Sequence, residues 1–322
     1  MHALRNLTMQ RLMVAILFML LFVMAVRAPT DPDLWWHIRG GEYIVENLAV
    51  PKTDSFSYTL KGENWIDGGW GTQIFIYGAY KLFGGDRVPG DSGNIGLALF
   101  TAITATAGLA IVYRMCEGTV YVRAFALVLG AAAAAIFWSP RPHMASFVLT
   151  ALLLYLIHLY KREHVDRLWL IPPMFALWAN LHAGFTIGFV LLVGVLVGEA
   201  FGNWFNPDDD RVIKWPRLKK IALVTVLAVP MLVINPYGFR LYAFPFDTVN
   251  VGVLQDFIQE WASPNFHRPG DWPFAFLLLG VLATAGLSSR RIDWTDLLLV
   301  GGTAFVSLVA ARNIATFALV AT

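Results

Sequence analysis

The hydrophobic positions fall into long runs separated by short polar connections. The first run, Leu12 to Val26, follows Arg5 and Arg11. It suits either an uncleaved anchor or a signal peptide, because Val26-Arg27-Ala28 weakly resembles a cleavage site. Pro29 directly after it argues against cleavage, so we read an anchor over 12–28 with a cytoplasmic N-terminus. Further runs lie at roughly 94–113, 124–138, 144–160, 168–181, 183–201, 217–234, 273–287 and 294–311. Pro172, Pro173, Pro230 and Pro273 mark bends or helix starts within them. The expectation is an all-α, polytopic transmembrane bundle of about nine spans, a single domain over residues 1–322. The chain stops inside an apolar run at Ala321-Thr322, which reads as a truncated C-terminus.

Between the anchor and the second run lies a polar and aromatic segment, 29–93, expected as a large outer loop. Asp31 followed by Pro32 fits an N-cap and first helical position. Leu34, Ile38, Gly41, Val45 and Leu48 then repeat near helical spacing, which predicts an amphipathic helix lying on the membrane surface. Pro51, Asp54, Ser55 and Ser57 are turn residues. Asp67-Gly68-Gly69 opens a second apolar piece, Trp70 to Phe83. That piece is well short of the roughly 20 residues a span needs, so it reads as a second interfacial or re-entrant helix.

Composition sharpens this picture. Of 322 residues, 57% are hydrophobic and only 14% charged, against about 25% charged in soluble domains. The net charge of +2 is too small to suggest a nucleic-acid partner. The single Cys116 excludes an intrachain disulfide and a cysteine-rich metal site. If the piece at 70–83 does not cross, the clustered Lys and Arg all fall on the cytoplasmic side, as the positive-inside rule asks. They are Arg5 and Arg11; Arg114 and Arg123; Lys161, Arg162 and Arg167; Arg211, Lys214, Arg217, Lys219 and Lys220; and Arg290 and Arg291.

The same orientation gathers the unusual polar motifs on the outer side. These are the segment from Asp31 to Asp67, the Ser139-Pro140-Arg141-Pro142-His143 junction, Asn180-Leu181-His182, Asn235-Pro236-Tyr237-Gly238 with Arg240, the stretch from Gln259 through Glu260 to His267, and Arg312-Asn313. Each has an ordinary explanation. Arg141, His143 and Arg312 could snorkel to headgroups. Asn180 and His182 could be polar glue between helices, and Tyr237 belongs to a turn signature. Ionisable residues at membrane depth are nonetheless expensive, and their joint placement points to a site.

Arg binds phosphate bidentately and keeps its charge when buried, so Arg141, Arg240 and Arg312 are candidates for a lipid phosphate. A carboxylate nearby could take a proton from an attacking hydroxyl. Asp31 and Asp33 are the leading candidates, with Asp54 and Asp67 behind them and Glu260 in support. Asp33 and His37 are four apart on one helix face and could instead hold a divalent metal such as Mg or Mn. Trp36 and its aromatic neighbours could stack on a sugar ring or anchor at the interface.

An anchor followed by an outer loop with Asp31-Pro32-Asp33 at its start, an interfacial helix through Asn47 and a second short helix from Trp70 resembles the C-type (GT-C) membrane glycosyltransferases. The whole set of motifs is also similar to a group of bacterial multispan membrane proteins. The resemblance implies a bacterial cytoplasmic-membrane protein that moves a sugar from a polyprenyl-phosphate carrier to a glycan, lipid or protein acceptor. An acid of the first outer loop would act as base or metal ligand, a role that falls here on Asp31 or Asp33. The alternatives are a lipid or solute transporter and a non-catalytic envelope assembly protein. A transporter would favour polar groups near mid-span and repeated halves.

Overall fold

The computed structural model describes residues 8–85, 92–249, 252 and 257–322, and Arg5 lies outside that set. The described chain is helical. Its β-pairing is one isolated bridge, Thr53 with Asn64. In order the helices are α1 (Met9–Ala25), α2 (Leu34–Asn47), α3 (Trp70–Leu82), α4 (Ser92–Met115), α5 (Val120–Ala134), α6 (His143–Lys161), α7 (Ile171–Leu181), α8 (Phe185–Phe205), α9 (Trp215–Met231), α10 (Phe244–Val249), α11 (Trp272–Leu287), α12 (Trp294–Val309) and α13 (Ile314–Ala321).

Five helical stretches are long and apolar enough to cross a membrane: Ser92–Met115, Val120–Phe137, His143–Lys161, Phe185–Phe205 and Pro269–Leu287. Met9–Ala25, Leu168–Leu181, Trp294–Val309 and Ala311–Ala321 are shorter apolar helices. The chain is therefore an all-helical, multi-pass membrane protein. α9 is different again, since Arg217, Lys219 and Lys220 occupy its first turns.

Several boundaries differ from the sequence reading for identifiable reasons. α1 starts earlier because Thr8 caps it, accepting the Arg11 N–H. α2 starts at Leu34 rather than at Pro32. Asp31 does not cap it. Its Oδ1 accepts the Asp33 N–H in a local turn, while both acids reach Arg141. Ion pairing to a guanidinium outweighs a cap of about 1 kcal/mol. The buried stripe of α2 also runs to Ile44, leaving Val45 and Leu48 exposed. The helix ends there because Leu48 takes a left-handed backbone, φ 49°. The run at 294–311 breaks at Ala310, which is extended (φ −142°, ψ 119°), and the chain re-enters as α13.

α2 and α3 lie side by side, and α3 in turn packs on α4 and α7. The α2–α3 approach requires glycine. A Cβ on Gly41 would sit 2.3 Å from the Gln73 carbonyl oxygen, and one on Gly40 would sit 2.2 Å from Gln73 Oε1. One apolar core joins residues of α1, α4, α5, α6, α11, α12 and α13; a second joins α6 through α9. Leu34, Ile38, Ile76, Tyr77 and Leu97 form a small third core that seats α2 and α3.

The two ends of the bundle carry different polar chemistry. At one end Lys161 Nζ lies 2.6 Å from Glu199 Oε1 and 2.8 Å from Asp293 Oδ2, all three nearly solvent-free. Glu199 also accepts hydrogen bonds from the Thr295 hydroxyl and the Ile213 N–H. Arg162 extends the network to Asp293 and Asp296. These partners are fully engaged with one another, which makes the end a structural clasp between α6, α8 and α12. The opposite end gathers the motifs singled out above.

Candidate functional site

Arg141 is the hub. It sits in the turn between α5 and α6, where its N–H bonds to Ser139 O and its carbonyl accepts the Met144 N–H. Its guanidinium meets three carboxylates: Asp31 Oδ2 at 3.4 Å, Asp33 Oδ2 at 3.0 Å and Glu260 Oε2 at 3.2 Å. Desolvation opposes its charge, but Glu260, Asp31 and Asp33 outweigh that and push its pKa further up. Glu260 is held by the loop before α11. Ala311 N–H donates to Ala262 O at 2.9 Å, and Ser263 Oγ donates to Val309 O at 3.2 Å. Arg312 follows directly on that contact and lies 4.1 Å from the Trp261 ring centroid, a cation–π arrangement. Acids and cations from four separate stretches thus meet at one end of the bundle.

Three histidines stand around this hub. Each acts electrostatically with Arg141, and His182 also with His143, Arg312 and His37. His37 does not pair with Asp33. Its Nδ1 faces Gln73 Nε2 at 3.2 Å while Asp33 turns to Arg141. The expected Asp33–His37 metal pair is therefore not assembled, and no group of three or more His, Cys, Asp or Glu is arranged to hold a metal ion among the described residues. Burial, then Arg141, pushes the His37 pKa down to about 3. Burial, then the surrounding histidines and arginines, pushes His182 well below its ordinary value. Both rings are neutral at physiological pH. His143 Nε2 lies 2.6 Å from Phe137 O, which only accepts, so that nitrogen carries the proton.

The remaining expected residues separate into neighbours and outsiders. Trp36 lies tilted against His37 (centroids 4.5 Å, 34° between planes) and meets Trp65 edge-on (5.4 Å). Tyr237 does not face the hub. Its hydroxyl donates to Pro51 O and accepts the Asp67 N–H, both at 3.0 Å, and burial pushes its pKa up. Asn180 donates to Ala176 O and Ile234 O, joining α7 to the end of α9. Asp54 is taken up by its own loop, accepting from the Phe56 and Ser57 N–H groups and the Ser57 hydroxyl. The Ser57 hydroxyl is the main cause of its lowered pKa. Arg240 is exposed on the turn after Tyr237 and is not part of the cluster. Gln73 and Ser146, which contact His37 and His182, were not singled out in the sequence, where each is a polar residue on a mostly apolar helix.

Asp67 is 3% exposed. Its Oδ1 accepts from Gly69 N–H and Gln73 Nε2, each at 3.0 Å, while Oδ2 is buried without a protein partner. Burial dominates and raises its pKa from 3.8 to about 6. A folded-state pKa above the unfolded one favours folding at low pH. That contribution is complete below about pH 4 and is lost as pH rises through about 6, a swing of roughly 3 kcal/mol. Unfolding midpoints in detergent should fall across this window, and Asp67→Asn should flatten the fall. An unchanged pH profile in that variant would show that Asp67 is not the titrating group.

No family model, no curated protein and no solved structure matches this chain.

Proposed function

We propose that the chain is a membrane glycosyltransferase that moves a sugar from polyprenyl phosphate to an acceptor at the Arg141 end of the bundle. The observation that carries this reading is the meeting of Asp31, Asp33 and Glu260 with Arg141 beside Arg312. The acceptor hydroxyl oxygen would attack the anomeric carbon and the bond to the phosphate oxygen would break. The hydroxyl proton would pass to Asp31 or Asp33, and the phosphate would leave on its lipid against Arg312. An open apolar cleft of about 330 Å³, lined by Ile44, Val45, Leu48, Ala49, Val50, Trp70 and Ile74, supports a lipid-borne substrate. It lies at the far end of the helix that starts beside Asp33, about 1.5 Å per residue away along α2, within reach of a prenyl tail. Against a transporter stands the placement of the charged groups, which collect at the two ends of the bundle.

The test is reconstitution. Purified protein in vesicles, given polyprenyl phosphates carrying radiolabelled sugars and a panel of acceptors, is expected to form labelled product and free polyprenyl phosphate. Solute flux or lipid flipping with no glycosyl product would replace this reading with a transporter.

A further inference from the structure

The hydrogen bonds around His182 leave its proton one place to go. Gly184 N–H, an obligatory donor, points at His182 Nδ1 at 3.1 Å. Ser146 Oγ lies 2.7 Å from the same nitrogen and accepts from Trp178 Nε1 at 2.7 Å. Nδ1 is therefore the acceptor, and the Ser146 hydroxyl proton points towards it. Neutral His182 carries its own proton on Nε2. The arrangement is tight: a Cβ on Gly184 would come within 2.3 Å of Ser146 Oγ and 2.7 Å of His182 Nδ1.

An independent set of contacts does the same for His37. Asp67 Oδ1, as a carboxylate oxygen, only accepts, so the Gln73 atom 3.0 Å from it is the amide nitrogen. The same nitrogen is 3.2 Å from His37 Nδ1 and donates its second proton there. His37 then also carries its proton on Nε2. Gln73 is fully buried, its orientation is set by the Asp67 carboxylate, and its Oε1 lies without a partner against Gly40, where a Cβ would collide with it. In neither ring has Nε2 an acceptor among the described residues. Nδ1 and Nε2 lie on opposite edges of an imidazole, so both N–H groups face away from the residues that fix them. The two rings act on each other and on Arg141, and Arg312 acts on His182.

We propose that Gln73 and Ser146 are positioning residues that hold His37 and His182 as neutral Nε2–H donors to a phosphate monoester seated between Arg141 and Arg312. The proposal rests on the transferase reading only for the role of that phosphate; the tautomers stand apart from it. Neutral donors suit a site in which one guanidinium, that of Arg141, is already countered by three carboxylates, because they bind an oxyanion without adding cations that those acids would claim.

The test is ¹⁵N-histidine NMR of the full chain in detergent at pH 7.5, with the two rings assigned through His37→Gln and His182→Gln. Both rings should show the Nε2–H pattern. Inorganic phosphate and dodecyl phosphate should then be titrated in. Either should perturb both Nε2 resonances, and tighter binding of dodecyl phosphate would mark a lipid headgroup rather than a free phosphate. Ser146→Ala should weaken phosphate binding about tenfold, the loss of roughly one hydrogen bond, and blur the His182 signature. Ser146→Thr, which keeps the hydroxyl, should restore both. Gln73→Leu should do to His37 what Ser146→Ala does to His182. An Nδ1–H ring at either position, or resonances that neither phosphate moves, would overturn the proposal. The readout needs no sugar transfer, so a protein with fixed tautomers and no transferase activity would overturn the function alone.

Discussion

Lys161→Met is expected to destabilise the protein by about 3–5 kcal/mol, because it leaves buried carboxylates without their cation. Glu199 and Asp293 are 1% and 5% exposed at the side chain, and Lys161 lies between them at 2.6 and 2.8 Å. Glu199 would keep the Thr295 hydroxyl and the Ile213 N–H, and Asp293 would keep Arg162. Those groups soften the loss but supply no replacement charge for Glu199. A near-isosteric apolar partner can rescue a broken buried pair when the second charge is removed as well. Lys161→Met with Glu199→Gln should therefore recover much of the stability lost in the single variant. The measurement is denaturant unfolding in mixed micelles, followed by helix signal. A single variant within about 1 kcal/mol of wild type would mean the clasp is solvated and contributes little.

The parts of this protein that local pattern controls were legible in its sequence. The short apolar piece after Gly69 is a helix of only 13 residues, Trp70–Leu82. The later apolar runs are helices close to where hydrophobicity placed them, because a membrane span must satisfy its backbone internally. Local rules failed where a distant partner competed. Asp31 reads as a cap, yet it answers to an arginine 110 residues away. Asp33 and His37 share a helix face, yet one is drawn to Arg141 and the other to Gln73.

The site shows the same division. That acids and arginines stand together followed from their sidedness, since every polar motif was assigned to one face. Which of them touch did not follow. Tyr237, Asn180 and Asp54 have polar groups as suggestive as those of Glu260, but their partners are backbone groups and, for Asp54, the Ser57 hydroxyl of its own loop. Gln73 and Ser146 carried no signal, because a tautomer lock depends on which atom faces which ring, and sequence spacing does not encode that.

The largest expected effect on activity belongs to the paired substitution of Asp31 and Asp33 by Asn, which should cut sugar transfer by about 10²–10⁴-fold, the usual contribution of a positioned base. The two acids are not equivalent. Asp31 uses Oδ1 for the Asp33 N–H and Oδ2 for Arg141. Asp33 uses only Oδ2 for Arg141; its Oδ1 has no partner among the described residues, and its side chain is 50% exposed against 16% for Asp31. A base needs a lone pair facing the substrate, so Asp33→Asn alone should account for most of the loss and Asp31→Asn for the smaller part. The fold should survive in each case. The amide that replaces the Asp31 carboxylate keeps an oxygen for the local turn, and Glu260 still holds Arg141 at 3.2 Å. Initial rates of label transfer in vesicles, normalised to inserted protein, would decide the matter. Wild-type rates in the double variant would remove the carboxylate base from the mechanism, and a larger loss in Asp31→Asn than in Asp33→Asn would assign the base to the more enclosed acid.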